Sequence, residues 1–156
     1  SDHDPLVAEL RVGNFLDADL AVVVDSPRKP VPSGRIAHFD VTVANLLSAD
    51  ALQPALRVAV EAIPARVRIA PVGGWTCDAP VATEAGSEIA CRRDAAMAPG
   101  AMERLRLEVD AVRLGAFQDV GVEATATTLS RDLDPANNAD TGSATIVGQP
   151  QNPFNR

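Results

Sequence analysis

Cys77 and Cys91 are the only two cysteines of the chain, and Trp75, its only tryptophan, stands two residues before the first. Two cysteines 14 positions apart suit a hairpin, or a loop stapled to its neighbouring strand. Closing a loop of that size contributes about 3 kcal/mol in the chain-entropy account. The competing chemistry is a pair of reduced thiols or a metal-binding pair. Zinc asks for four nitrogen or sulfur ligands, and no histidine lies near these cysteines. The disulfide is the expectation, and an oxidising compartment goes with it. Trp75 reads two ways. It could be an exposed platform for a sugar or a partner, or a lid on the core beside the disulfide. The scarcity of other large side chains favours the lid, because a close-packed interior needs them.

Asp132, Asp134, Asn137, Asn138 and Asp140 put five oxygen-bearing side chains into nine residues. Such a set could gather around calcium, a hard ion that takes oxygen ligands. The spacing is not that of an EF-hand, since its glycine and terminal glutamate are missing. The simpler reading is a turn in which Asp and Asn bond their own backbone and Pro135 fixes the geometry. No other metal ligand set and no other cofactor is indicated. His3 and His38 have no partner suggested by spacing and read as solvated. No Gly-x-Ser-x-Gly elbow occurs. Glu84 and Glu88 fall in what reads as a loop, where nothing apolar would raise a carboxyl pKa. Arg57, Arg66, Arg68, Arg104 and Arg106 project from strands expected to lie near one another. They could take an anionic glycan or a carboxylate. More simply they form a solvated face interleaved with Glu61, Glu103, Glu108 and Glu123. No catalytic constellation emerges, and the chain does not read as an enzyme.

The elements that must position these residues are strands. Leu105, Leu107 and Val109 alternate with Arg104, Arg106, Glu108 and Asp110, which is the period of a sheet with one wet face. Phe39, Val41 and Val43 alternate in the same way with His38, Asp40 and Thr42. Leu56, Val58 and Val60 do so next, then Val67 and Ile69, then Val120, Val122, Ala124 and Ala126. Leu20 to Val24 and Thr141 to Val147 complete the set. Turn residues separate these runs at 26–34, 45–50, 71–74, 99–100 and 132–138, as in an all-β sandwich or barrel. The 156 residues fit one domain of ordinary size. Apolar residues make up 46% and aromatics only 3%, so the core must be built from small and β-branched side chains. A formal charge of −7 disfavours both nucleic acid and anionic membrane surfaces. No signal peptide heads the chain and no apolar run approaches the length of a membrane span, so the expectation is a mature fragment of a longer protein.

From Ala18 to Val147 the order of features resembles the bacterial conserved repeat domain, a domain of unknown function (number eleven). The matching pieces are Ala18-Asp19-Leu20-Ala21-Val22, Pro32-Ser33-Gly34 and Phe39-Asp40-Val41-Thr42-Val43-Ala44-Asn45. Gly74-Trp75-Thr76-Cys77, Ile89-Ala90-Cys91, Met97-Ala98-Pro99-Gly100 and Asp132-Leu133-Asp134-Pro135-Ala136-Asn137-Asn138 follow in that order. The chain departs from the pattern in its aromatic-poor strands and in Leu46-Leu47 after Asn45. The resemblance implies an immunoglobulin-like antiparallel β-sandwich of about seven strands with Greek-key connections. It also implies a module of exported bacterial surface proteins, often in tandem, without catalytic residues.

Three segments are expected. Residues 1–17 form an N-terminal extension or extra edge strand, with Leu6 to Val12 as the strand. Residues 18–147 form the sandwich, and 148–156 a C-terminal linker. The functional expectation is a non-catalytic structural or spacer module at the cell surface or in the periplasm. Its partners would be the neighbouring domains of the same polypeptide. An adhesion or carbohydrate-binding module acting on a glycan or protein through its end loops is the alternative, and an accessory domain of a secreted enzyme is the third. Neither nucleic acid nor membrane insertion is expected.

Overall fold

A computed structural model describes residues 17–62, 65–70, 72–111 and 117–148. His3, the expected strand Leu6 to Val12 and residues 149–156 of the expected linker lie outside these. The strands, in chain order, are β1 (Asp17–Ala18), β2 (Leu20–Asp25), β3 (Val31–Pro32), β4 (Ala37–Asn45), β5 (Ala55–Glu61), β6 (Ala65–Ala70) and β7 (Trp75–Cys77). They continue with β8 (Val81–Ala82), β9 (Gly86–Arg93), β10 (Met102–Ala111), β11 (Phe117–Thr127), β12 (Arg131–Asp132) and β13 (Ala139–Val147), with a 3-10 turn at Pro135–Asn137.

Two sheets face each other. One has the order β2-β4-β10-β6. The other has the order β3-β13-β11-β5-β9-β7, with β8 also on β9. All pairings among the long strands are antiparallel, and successive strands cross from one sheet to the other, as from β4 to β5 and from β9 to β10. This is the sandwich that the alternating runs describe, of the immunoglobulin-like kind that the resemblance implies.

The alternation decides which faces meet. Leu105, Leu107 and Val109 are fully buried, as are Phe39, Val41 and Val43 from the strand beside them. Leu56, Val58 and Val60 and the even-numbered residues Val120 to Ala126 line the opposite sheet's inner face. Small β-branched residues fill most of this space. Phe39, Trp75 and Met97 supply the large side chains.

One long strand lies where the sequence reads as a loop. Glu84 and Glu88 read as loop residues, yet Gly86–Arg93 forms β9 beside β5, from Gly86↔Glu61 to Arg92↔Ala55. Only Ile89 and Cys91 mark its buried face. Gly86 makes the pairing possible. A Cβ there would stand 2.0 Å from the Val60 carbonyl oxygen and 2.9 Å from the Ala62 nitrogen.

Two ends of the sandwich follow from the registers. One end gathers Asp17–Asp19, the turn after Asn45, residues 72–74, the segment 94–101 and the segment 128–138. The other gathers residues 26–36, the segment 78–85 and Gly148. The described chain enters at the first end and leaves at the second.

Candidate functional site

The acidic segment between β11 and β13 is held against β2, and its carboxylates face backbone amides. Asp132 Oδ2 accepts from Leu20 N at 3.2 Å and from Asn138 Nδ2 at 2.9 Å, while Oδ1 accepts from Asp134 N at 3.1 Å. Asp140 Oδ2 accepts from Val24 N at 2.7 Å. Leu20 and Val24 present these N–H groups on the edge of β2 turned away from β4. The two carboxylates cap donors that an edge strand would otherwise leave open.

This placement separates the five residues expected to share one ion. Leu20 and Val24 are four residues apart on a strand, so their amides stand about 13 Å apart and the two capping oxygens at least about 7 Å apart. Two oxygens on one calcium lie within about 5 Å of each other, given ligand distances near 2.5 Å. Asp132 and Asp140 therefore do not meet at one ion as they stand, and Asp134 is exposed. What remains together is smaller. Asn138 is bonded to Asp132, and the side-chain Oδ1 atoms of both Asn137 and Asn138 are buried without a hydrogen-bond partner. Among the described residues, no group of three or more His, Cys, Asp or Glu is arranged to hold a metal ion.

Trp75 is 4% exposed and belongs to the core, so its ring offers no face to a ligand. Its indole N–H donates to Glu103 Oε2. Glu103 also takes a two-point ion pair from Arg93, at 2.9 Å through Nη2 and 3.2 Å through Nε. Arg93 Nη1 in turn donates to the carbonyls of Ala95 and Ala96 at 2.8 and 2.6 Å. Arg93 lies on β9 and Glu103 on β10, so the pair ties the two sheets together at their rim. Glu103 was expected to be one of the solvated outer charges. Its position is odd-numbered like Leu105, Leu107 and Val109, and that parity places it on the inner face.

Cys77 and Cys91 are joined in a disulfide across directly paired positions of β7 and β9. Trp75 precedes Cys77 by two residues and so shares its face of the strand. The staple and the tryptophan close one corner of the core together.

The arginines expected to lie together divide between two opposite outer faces. Arg57 is on the outer face of β5, paired with Glu88 of β9 at 2.7 Å. The hydrogen bond from Arg57 holds the Glu88 carboxyl below its usual pKa, against some desolvation, and the same bond raises that of Arg57. Arg68 pairs with Glu108 at 3.1 Å and Arg106 with Asp40 at 3.1 Å on the outer face of the other sheet. Arg66 and Arg104 share that second face by register. Glu88 thus sits on a strand, while Glu84 is exposed in the turn before it. His38 is exposed on β4 across from Glu108.

Surface hollows occur among the described residues. One, of about 310 Å³, is lined by Ile36, Arg66, Val67, Arg68, Glu108 and Asp110. A second, of about 180 Å³, lies along Ala59, Glu61, Gly121, Glu123 and Gly142. Neither includes Trp75 or the 78–85 segment. No helix among the described residues is long and apolar enough to cross a membrane.

Sequence reasoning missed Asn45 as the organising polar residue. It is fully buried. Its Nδ2 donates to Ala49 O at 2.8 Å and Met97 O at 3.0 Å, and its Oδ1 accepts from Asp19 N at 3.3 Å and Leu47 N at 3.4 Å. Its own backbone is bonded to Ala101 and Gly100. One side chain thus fastens three segments, at Asp19, at Leu47 to Ala49 and at Met97, at the end where the described chain enters. The signal was an Asn ending a strictly alternating strand.

No family model matches the sequence, and no curated protein matches it. Solved structures do share the fold. A crystal structure of the CARDB domain of a Pyrococcus furiosus protein, in complex with di-metal ions, superposes with a TM-score of 0.61 at 17% identity. The match covers 86% of this chain and 98% of that one. The solution NMR structure of the same domain gives 0.57 at 16% identity, over 84% and 96% of the two chains. An immunoglobulin-like protein from Nocardia farcinica gives 0.49 at 16% identity, over 79% and 96%. By the two Pyrococcus furiosus structures, the chain shares the sandwich fold of the CARDB domain.

Proposed function

We infer that the chain is a non-catalytic spacer module of an exported bacterial surface protein. The observation that carries this reading is the path of the chain. It enters at one end of the sandwich and leaves at the other, so copies or neighbours joined in series extend end to end. The ordered segments resembling the bacterial conserved repeat domain support the same reading, as does a disulfide suited to an oxidising compartment. The two carboxylates that could have led a reactive site, Asp132 and Asp140, cap the backbone of β2. Residues 148–156 serve as the lead to the next domain, and the neighbouring domains of the polypeptide are its partners.

The test is small-angle scattering of two copies fused head to tail through their own end segments. An extended particle close to twice the length of one copy is expected. A folded-back, compact pair overturns the spacer reading, as does hydrolysis of a glycan, peptide or ester by the single domain. Binding to a glycan array would favour the adhesion reading in its place.

A second reading concerns calcium at Asp132, Asn137 and Asn138, favoured by the two buried, unpartnered amide oxygens and by the bond that joins Asn138 to Asp132. The di-metal complex of the Pyrococcus furiosus domain points the same way. Millimolar calcium should then raise the melting temperature through preferential binding to the folded state. An unchanged melting temperature removes calcium from the account.

A further inference from the structure

The geometry points to a load-bearing clamp: the leading and closing strands of the described residues lie parallel, are fastened to each other along their length, and are loaded in shear when Asp17 and Val147 are pulled apart. The inference rests on the spacer reading and gives it a mechanical function.

The fastenings run in register along the chain. Asp17 and Ala18 pair in parallel with Arg131 and Asp132. Leu133 N donates to Ala18 O at 3.0 Å, and Leu20 N to the Asp132 carboxylate at 3.2 Å. Val24 N donates to the Asp140 carboxylate at 2.7 Å. Ser143 N donates to Ser26 Oγ at 3.0 Å. Val31 and Pro32 pair in parallel with Ile146 and Val147, and Ser33 N donates to Val147 O at 2.7 Å. As one segment advances from 17 to 33, the other advances from 131 to 147. The leading segment (β1, β2, β3) and the closing one (β12, β13) therefore point the same way.

A pull delivered at Asp17 acts on the start of β1, and a pull delivered at Val147 acts on the end of β13. These points are at opposite ends of the clamp. The load runs along both segments, transverse to the bonds between them, so the bonds share it and must give way together. Pulling both from one end would open them in sequence, each carrying the load alone.

Each segment is also anchored behind. β2 is paired to β4 along its whole length, and β13 to β11. Leu20, Val22 and Val24 are buried between the sheets. Gly142 allows the close approach. A Cβ there would stand 2.3 Å from Ser26 Oγ and 2.8 Å from Val24 Cγ1.

The test is single-molecule force spectroscopy on the full chain with two attachment geometries. One holds residues 1 and 156. The other holds residue 1 and Ala136, which is exposed at the same end as Asp17 and so peels the clamp open. Rupture at higher force in the first geometry is expected, and equal or lower force overturns the clamp. Asp140→Ala and, separately, Ser26→Ala should each weaken the first geometry and leave the second nearly unchanged. Loss of the charged acceptor at Asp140 should speed forced unfolding by about tenfold or more. Unaltered forced-unfolding rates in both variants overturn the proposal. The comparison of geometries in the unaltered chain stands even where a variant fails to fold. A weak terminal pull, together with an extended two-copy particle in scattering, would remove the clamp and leave the spacer reading intact.

Discussion

Asn45 satisfies four hydrogen bonds from a site without solvent access, and its neighbours depend on it for theirs. Truncation to alanine leaves the carbonyls of Ala49 and Met97 and the amide of Asp19 without that partner. Asn45→Ala should cost about 3 kcal/mol, read as a lower midpoint in urea with an unchanged slope. Asn45→Asp keeps the size but turns a double donor into an acceptor facing two carbonyl oxygens, and should cost more than alanine does. At this scale the sequence was informative about parity and poor about partners. The burial of Leu105, Leu107 and Phe39 follows from alternation alone. Glu103 obeys the same parity, yet its charge suggested water, because the partners that stabilise it, Trp75 and Arg93, come from distant strands. Asp132 and Asp140 were legible as a turn-forming pair of acids. That they cap β2 was not, since Leu20 and Val24 lie more than a hundred residues away.

At the scale of elements, the strands with unbroken alternation were readable and the strand without it was not. β10 carries charge on one face and Leu or Val on the other, so its identity and both its faces follow from seven residues. β9 carries two apolar residues on its inner face and begins at a glycine, which reads as a turn signal. That glycine marks a close approach of two backbones instead. Gly86→Ala should shift the β5–β9 pairing and cost about 2–3 kcal/mol, seen as a lower denaturation midpoint. An unchanged midpoint would mean that the backbones of Gly86 and Val60 are further apart than described. The outer arginines illustrate a different limit. Their outward direction follows from period two, but which sheet each strand joins is a matter of topology. Arg57 and Arg106 therefore end on opposite faces, each beside a carboxylate. Exposed pairs of this kind contribute little each, and their replacement should be nearly silent.

The whole molecule has a polarity that no single strand displays. Sheet order sets the direction of β2 relative to β13, and the proposed clamp rests on that direction. The sandwich class was legible from the number and spacing of alternating runs. The parallel alignment of the leading and closing segments was not, because it depends on short pairings and side-chain caps with no periodic signature. The disulfide belongs to a different edge. In the second sheet β7 is at the far side from β13, so Cys77–Cys91 lies away from the fastenings that bear the load. Its effect begins after they break. The bond withholds a stretch of 14 residue steps from the unravelled chain and leaves a span of 4.0 Å in its place. With roughly 3.5 Å per extended step, a reduced domain should pull out about 45 Å further than an oxidised one. The increment is measurable as a longer contour after treatment with a thiol reductant, and equal lengths before and after would show that the bond had not formed. Were such domains joined in series, the oxidation state of one buried corner would set how far the series lengthens under overload.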